Sequence, residues 1–213
     1  MIIYVVCHND ESEILANDQF SKYDWARVLR LKEQNHLFEG VVYTTELLER
    51  YNEWKDHDFV GTISYSILKK VTESHMNYIV SAIRPELHDA AFFHTDLSDW
   101  FYCHPDFVKS IYYELVNDLL PRHAPANRWG FFSCWIAKPH LMLSYISFFN
   151  NIWLPKLEAH PDVWRNAEYG GGTLSKEHLL KLTKRVEHYP CHPFINERLP
   201  FHYFASFGLR ILF

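Results

Sequence analysis

The chain has 213 residues and a formal net charge of −5, so it lacks the broad positive field that releases counterions from a nucleic-acid backbone, and general DNA or RNA binding is excluded as its role. Its 48% hydrophobic and 22% charged residues are ordinary for a folded protein and exclude disorder and coiled coil. The deviation is an aromatic share of 17%, which suits a bulky core and equally suits faces that stack on sugars or bases.

In chain order, Ile2 to Cys7 is a continuous β-rich run ending at His8-Asn9-Asp10, the pattern of a strand buried on both faces and of an α/β nucleotide binder. Ser21 to Gln34 places Trp25, Val28, Leu29 and Leu31 among charges and predicts a helix, and Thr44 to Lys55 predicts a second. Phe59 to Ile63, Tyr78 to Ile83 and Ala90 to His94 read as strands. Pro105 opens an amphipathic helix that stops before Pro121. Trp129 to Ile136 is strand-like and Pro139 to Phe149 helical. Gly170-Gly171-Gly172 is a candidate mobile loop. Ser175 to Glu187 and Phe194 to Phe207 close the chain as helices. The alternation predicts one α/β domain over 1–213, with a central mixed, mostly parallel β-sheet flanked by helices and ligands at the carboxyl ends of the strands.

Cys7, Cys103, Cys134 and Cys191 show no Cys-x-x-Cys spacing and no cleavable signal precedes the first apolar run, which predicts reduced thiols, a cytoplasmic setting and no secretion. The apolar stretch Leu141 to Leu154 is too short to cross a bilayer and reads as a buried helix, so no membrane span is expected. Phe201 to Phe213 stays apolar to its end, which predicts a domain excised from a longer chain, with further domains of the same polypeptide as partners.

Candidate chemistry sits just after strands. His94-Thr95-Asp96 follows the run Ala90 to Phe93, so one imidazole and one carboxylate could reach a divalent ion together; the plainer reading is a polar turn. Asp56-His57-Asp58 has Asp-x-Asp spelling but precedes its strand and reads as a solvated turn. The pairs Cys7-His8, Cys103-His104 and Cys191-His192 invite a zinc reading, although adjacent residues seldom aim both side chains at one ion. No phosphate-cradling glycine loop and no nucleophile elbow is present, which weakens kinase, NTPase, dehydrogenase and serine-hydrolase readings. Lys69 and Lys70 suit either phosphate contact or a solvated helix face. Glu197, beside Arg198 near the start of the final helix, is a candidate general base, against a plain ion pair favoured by the helix dipole.

The segments Tyr43 to Lys55, Asp58 to Tyr65, Gly130 to Lys138 and Phe194 to Leu199 resemble, in the same order, the motifs of capsule and lipopolysaccharide glycosyltransferases with the GT-A fold. The chain is also similar to glycosyltransferase domains of large multidomain viral proteins. The resemblance implies a metal-dependent UDP-sugar glycosyltransferase that moves a hexosyl or deoxyhexosyl unit to a glycan or glycoprotein acceptor, with Mn2+ or Mg2+ neutralising the leaving UDP. It implies that Cys7, His8 and Asn9 contact the uridine, that Thr62, Ser64 and Tyr65 lie near ribose and phosphates, and that Ser133, Cys134 and Trp135 face the donor sugar. Where the family has His-Tyr-Arg-Arg this chain has Ser64-Tyr65-Ser66-Ile67, so the usual cationic groups are missing and the metal expectation moves to His94 and Asp96. Trp100, Trp129 and Trp135 are expected to flank the sugars. A non-catalytic carbohydrate-binding module and a nucleotidyl- or phosphotransferase are the competing classes.

Overall fold

A computed structural model of the chain describes residues 1–96, 104–121, 129–130, 134–168 and 174–213, with backbone alone at 95–96 and 129–130. The element order is β1 (Ile2–Cys7), α1 (Asp10–Phe20), β2 (Ala26–Arg30), a 3-10 turn (Phe38–Tyr43), α2 (Glu46–Glu49), α3 (Tyr51–Trp54), β3 (Val60–Ser64), a second 3-10 turn (Ile67–Lys69), α4 (Glu73–Ala82), β4 (Ala90–Phe92) and β5 (Thr95–Asp96). It continues through α5 (Asp106–Leu119), β6 (Trp129–Gly130), β7 (Trp135–Ala137), α6 (Pro139–Phe148), a π-helical turn (Phe149–Trp153), α7 (Leu154–Ala159), α8 (Lys176–Thr183), α9 (His192–Asn196), α10 (Leu199–Ser206) and β8 (Ile211–Leu212).

Among the described residues six strands form one sheet in the order β2-β1-β3-β7-β4-β8, and β5 pairs with β6 apart from it. Strand β1 runs parallel to β2 and β3, β7 is antiparallel to both β3 and β4, and β8 is parallel to β4. The protein is therefore α/β with a mixed, mostly parallel sheet, and the carboxyl ends of β1, β3 and β4 share one edge. Every residue of β1 and β3 is buried, as expected of strands covered on both faces. One face packs Ile3, Val5, Phe20, Ile63, Met76 and Ile136. The other packs Tyr4, Tyr43, Phe92, Trp135, Tyr145 and Phe204, so much of the aromatic excess goes into core. Ring contacts of Trp135 with Tyr43, Tyr145 and Phe204, at 5.7, 5.1 and 5.1 Å, knit that face.

Four expected elements are corrected. Phe194 to Phe207 is two helices, α9 and α10, with Glu197 and Arg198 at the break between them rather than near the start of one helix. Ser21 to Gln34 holds strand β2 rather than a helix, because the edge position leaves only Leu29 fully buried and its apolar residues mimic a helical stripe. Tyr78 to Ala82 is the second half of α4 and Ile83 its C-cap, and the start of that helix is capped by Thr72 accepting the His75 N–H at 3.2 Å. Trp129 to Ile136 is two short strands, β6 and β7, in different sheets. Helix α1 went unrecognised because its buried stripe is only Ser12, Ala16 and Phe20. Its capping box was legible: Asn9 Oδ1 accepts the Ser12 N–H at 2.8 Å, and Ser12 Oγ accepts the Asn9 N–H at 2.9 Å. Gly170-Gly171-Gly172 lies outside the described residues. Among the described residues no helix is long and apolar enough to cross a membrane.

The far edge of the sheet is fastened by Asp89. Its carboxylate accepts from Lys138 Nζ at 2.8 Å, from Arg210 Nη2 at 2.9 Å and from the Arg210 backbone N–H at 3.0 Å, joining the starts of β4 and β8 to the end of β7. The Arg210 hydrogen bonds, ahead of burial, hold this carboxyl well below the usual range, with Lys138 adding to them. A depressed folded value adds stability above the unfolded carboxyl value and loses it as pH falls toward the folded one. Asp89→Asn is expected to cost about 1–3 kcal/mol in urea denaturation at pH 7. The gap from the unmodified protein should narrow below about pH 4, where the unfolded carboxyl takes up its proton.

Candidate functional site

A cleft of about 510 Å³ opens where the chain leaves β1 and β3, lined by His8 and Asn9 after β1, Tyr65 and Lys70 after β3, Glu39 and Tyr43 of the 3-10 turn, and Asn196 and Glu197 at the end of α9. Its outer wall includes Gln34, Phe38, His178, Tyr189 and Phe194. This is the place where an open α/β sheet binds ligands, because loops after adjacent parallel strands diverge there.

Local structure positions each group. Gln34 donates to the His8 carbonyl at 2.6 Å, and the His8 ring meets Tyr65 edge-on at 5.2 Å. Phe38 opens the 3-10 turn with φ of 53°, a left-handed conformation that a bulky residue rarely adopts, and it stacks on Tyr189 at 5.7 Å. That turn carries Glu39 into the cleft, where Ser64 at the tip of β3 is near enough to lower its carboxyl slightly. The π-helical turn brings Asn150 to donate to the Tyr43 carbonyl at 2.9 Å and Trp153 to donate to Asn196 Oδ1 at 2.9 Å. Asn196 is buried, and its Nδ2 has no hydrogen-bond partner among the described residues.

The electrostatics centre on two carboxylates. Both Glu39 and Glu197 keep partial contact with solvent, yet protein surrounds them enough to disfavour the charged form. Burial pushes Glu39 up from 4.5 to about 7; Lys70 and Ser64 oppose the shift and the Glu197 charge adds to it. Burial also raises Glu197, against the pull of Arg198, which donates to Glu197 Oε1 at 2.7 Å, and of Lys70. Desolvation lowers His8, with help from Arg30 and His178, so its imidazole is neutral at pH 7. A protonatable carboxyl, a carboxylate held by a buried arginine, a lysine and aromatic walls form a site suited to a polyhydroxylated ligand with an anionic portion.

The expected site residues divide. His8, Asn9, Tyr65 and Glu197 line the cleft, whereas Ser64, at the tip of β3, is buried and does not line it. Cys7, Thr62, Cys134 and Trp135 do not line it: they are buried in the sheet at 0, 1, 0 and 1% exposure. Central strands covered on both faces direct every side chain into packing, so contact with a ligand falls to the residues just beyond strand ends. Thr62 Oγ1 and Tyr43 Oη are 3.2 Å apart, Trp135 Nε1 donates to Tyr43 Oη at 2.9 Å, and Cys134 Sγ accepts the Ser64 N–H at 3.4 Å. Ser133, Trp100 and the side chains of Asp96 and Trp129 lie outside the described residues. His94 follows β4 on the shared strand-end edge but is not in the cleft lining. Sequence reasoning missed Glu39 and Asn196, and set aside Lys70; the Phe38-Glu39-Gly40 segment carries no chemical motif that singles it out. No protein-family model, characterised protein or solved structure matches the chain.

Proposed function

We propose that the chain is a GT-A-type glycosyltransferase that transfers a hexosyl or deoxyhexosyl unit from a UDP-sugar to a glycan or glycoprotein acceptor in the strand-end cleft. The observation that carries this reading is the pairing of Glu39 and Glu197, both raised by burial, in an aromatic-walled cleft at the carboxyl ends of β1 and β3. His8, Asn9 and Tyr65 flank the base and ribose, and Lys70 faces the diphosphate. Glu197 accepts the acceptor hydroxyl's proton as that oxygen attacks the anomeric carbon and the bond from that carbon to the UDP oxygen breaks, UDP leaving as the anion. Burial raises Glu197 above the ordinary carboxyl value, which strengthens it as a base.

Mn2+ or Mg2+, expected at His94 and Asp96, would neutralise the leaving diphosphate when bound. The side chain of Asp96 lies outside the described residues, and among those described Lys70 is a cation lining the cleft.

A thermal-shift panel of UDP, GDP, CMP and their sugar conjugates, each with and without Mn2+, tests the reading. Ligand at 100 times its Kd adds about 2.7 kcal/mol, or about 5–10 °C in Tm for a chain of this size. A selective UDP-sugar response is expected; a response to free glycans with none to any nucleotide would instead mark a carbohydrate-binding module.

Glu39 adds a pH dependence. The unfolded carboxyl releases its proton near 4.5 and the folded one near 7, so its share of folding stability is complete below 4.5 and is lost as pH rises through 7. Binding of a UDP-hexose, whose diphosphate does not titrate in this range, should weaken several-fold from pH 6 to pH 8 as Glu39 becomes charged beside it. Glu39→Gln should flatten that slope in calorimetric titrations; an unchanged slope would assign it to another group.

A further inference from the structure

Behind the outer wall of the cleft, His36, Glu158 and His192 converge from three separate segments. His36 lies in the loop after β2, Glu158 in α7, and His192 is the first residue of α9. One ligand atom from each lies within 4.8 Å of the other two. Glu158 Oε1 is 2.6 Å from His36 Nε2 and 3.0 Å from His192 Nε2, so a single carboxylate oxygen faces two imidazoles.

Hydrogen bonding alone does not account for this cluster. His192 is wholly buried, yet neither of its ring nitrogens has a hydrogen-bond partner among the described residues, because the 3.0 Å approach to Glu158 is poorly directed for one. Buried polar groups without a partner are rare in natural interiors. The indole of Trp164 packs against both imidazoles, with centroids 5.0 and 4.7 Å away, and fixes their orientation. Cys191 is turned away, its Sγ directed at the Asp162 carbonyl at 3.8 Å, so the adjacent Cys191-His192 pair does not act as a unit.

We infer that His36, Glu158 and His192 form a site for one zinc ion, with two imidazole nitrogens, one carboxylate oxygen and a water as the fourth ligand. Two imidazoles and one carboxylate are a ligand set that zinc takes with an open fourth position. Small rotations separate the ligand atoms enough to place the ion between them. The ion would clasp the loop holding His36 and the start of α9 to α7, and so brace two segments that also form the cleft wall. The inference does not depend on the glycosyltransferase reading.

Chelator-stripped full-length protein titrated with Co2+ and then with Zn2+ tests it. One equivalent of Co2+ should give visible bands of a four-coordinate ion, and Zn2+ should displace it. His36→Ala, at a half-buried position, and Glu158→Gln should each weaken Zn2+ binding at least about 100-fold while circular dichroism shows both variants folded. Featureless Co2+ spectra, or Zn2+ binding unchanged in the folded His36→Ala variant, would overturn the site. Failure of the UDP-sugar assay would leave this result untouched.

Discussion

Glu197→Gln is expected to slow sugar transfer by about 10²–10⁴-fold, the usual worth of a positioned general base, with little change in donor affinity. Glutamine keeps the size of the side chain and one carbonyl oxygen to accept from Arg198, now 2.7 Å from Glu197 Oε1, so the junction between α9 and α10 should survive. What it removes is the capacity to take a proton. That junction is held independently of the carboxylate: Tyr112 donates to the Arg198 carbonyl at 3.1 Å, and Arg198 also donates to the Phe194 carbonyl. The split between kcat and donor Kd is the decisive readout, because a merely structural role would move both. Near-normal turnover in a folded variant would exclude Glu197 as the base.

The largest stability effect is expected from Gly61→Ala. Gly61 sits in β3 opposite Ile136 of β7, and a Cβ there would lie 2.1 Å from the Trp135 carbonyl oxygen and 2.6 Å from Ile136 Cα. Both are backbone atoms of a central strand, so the strain cannot be relieved by turning a flexible side chain. Alanine would gain about 0.4–1 kcal/mol by restricting the unfolded chain. Prying β3 from β7 should outweigh that gain several-fold, for a net loss of at least about 3 kcal/mol and a fall in Tm of about 6–12 °C. The same separation would shift the end of β3, which Tyr65 of the cleft follows, so ligand affinity should fall along with stability. Calorimetric melting checks the first consequence, and a Tm within about 2 °C of the unmodified protein would show that the two strands are not in this close register.

The strands with unbroken apolar runs were legible, as β1, β3 and β4 show, because burial on both faces leaves no alternative pattern. So was α5, whose buried residues Val108, Ile111, Tyr112, Leu115 and Val116 form a wide stripe. The elements misread were those where tertiary position overrides local pattern: β2 at an edge, and α4, where Met76 and Ile79 are its buried residues. Within the site, His8, Asn9 and Tyr65, expected from the resemblance, line the cleft because they follow strands, and Glu197 lines it from the break between α9 and α10. Glu39 and Lys70 were not legible as site residues, since the cleft that raises one carboxyl and places the other group beside it is assembled from segments 31 residues apart. The cluster of His36, Glu158 and His192 is equally non-local, and its residues carry no sequence spacing that points to a shared ion.

Hydrogen exchange with and without a UDP-hexose tests most directly whether the strand-end cleft is the donor site. Protection is predicted in peptides covering residues 8–9, 34–43, 64–70 and 193–197, the four segments that surround Glu39 and Glu197. Saturating ligand that leaves all four unprotected, or that protects only segments elsewhere on the chain, would contradict the account.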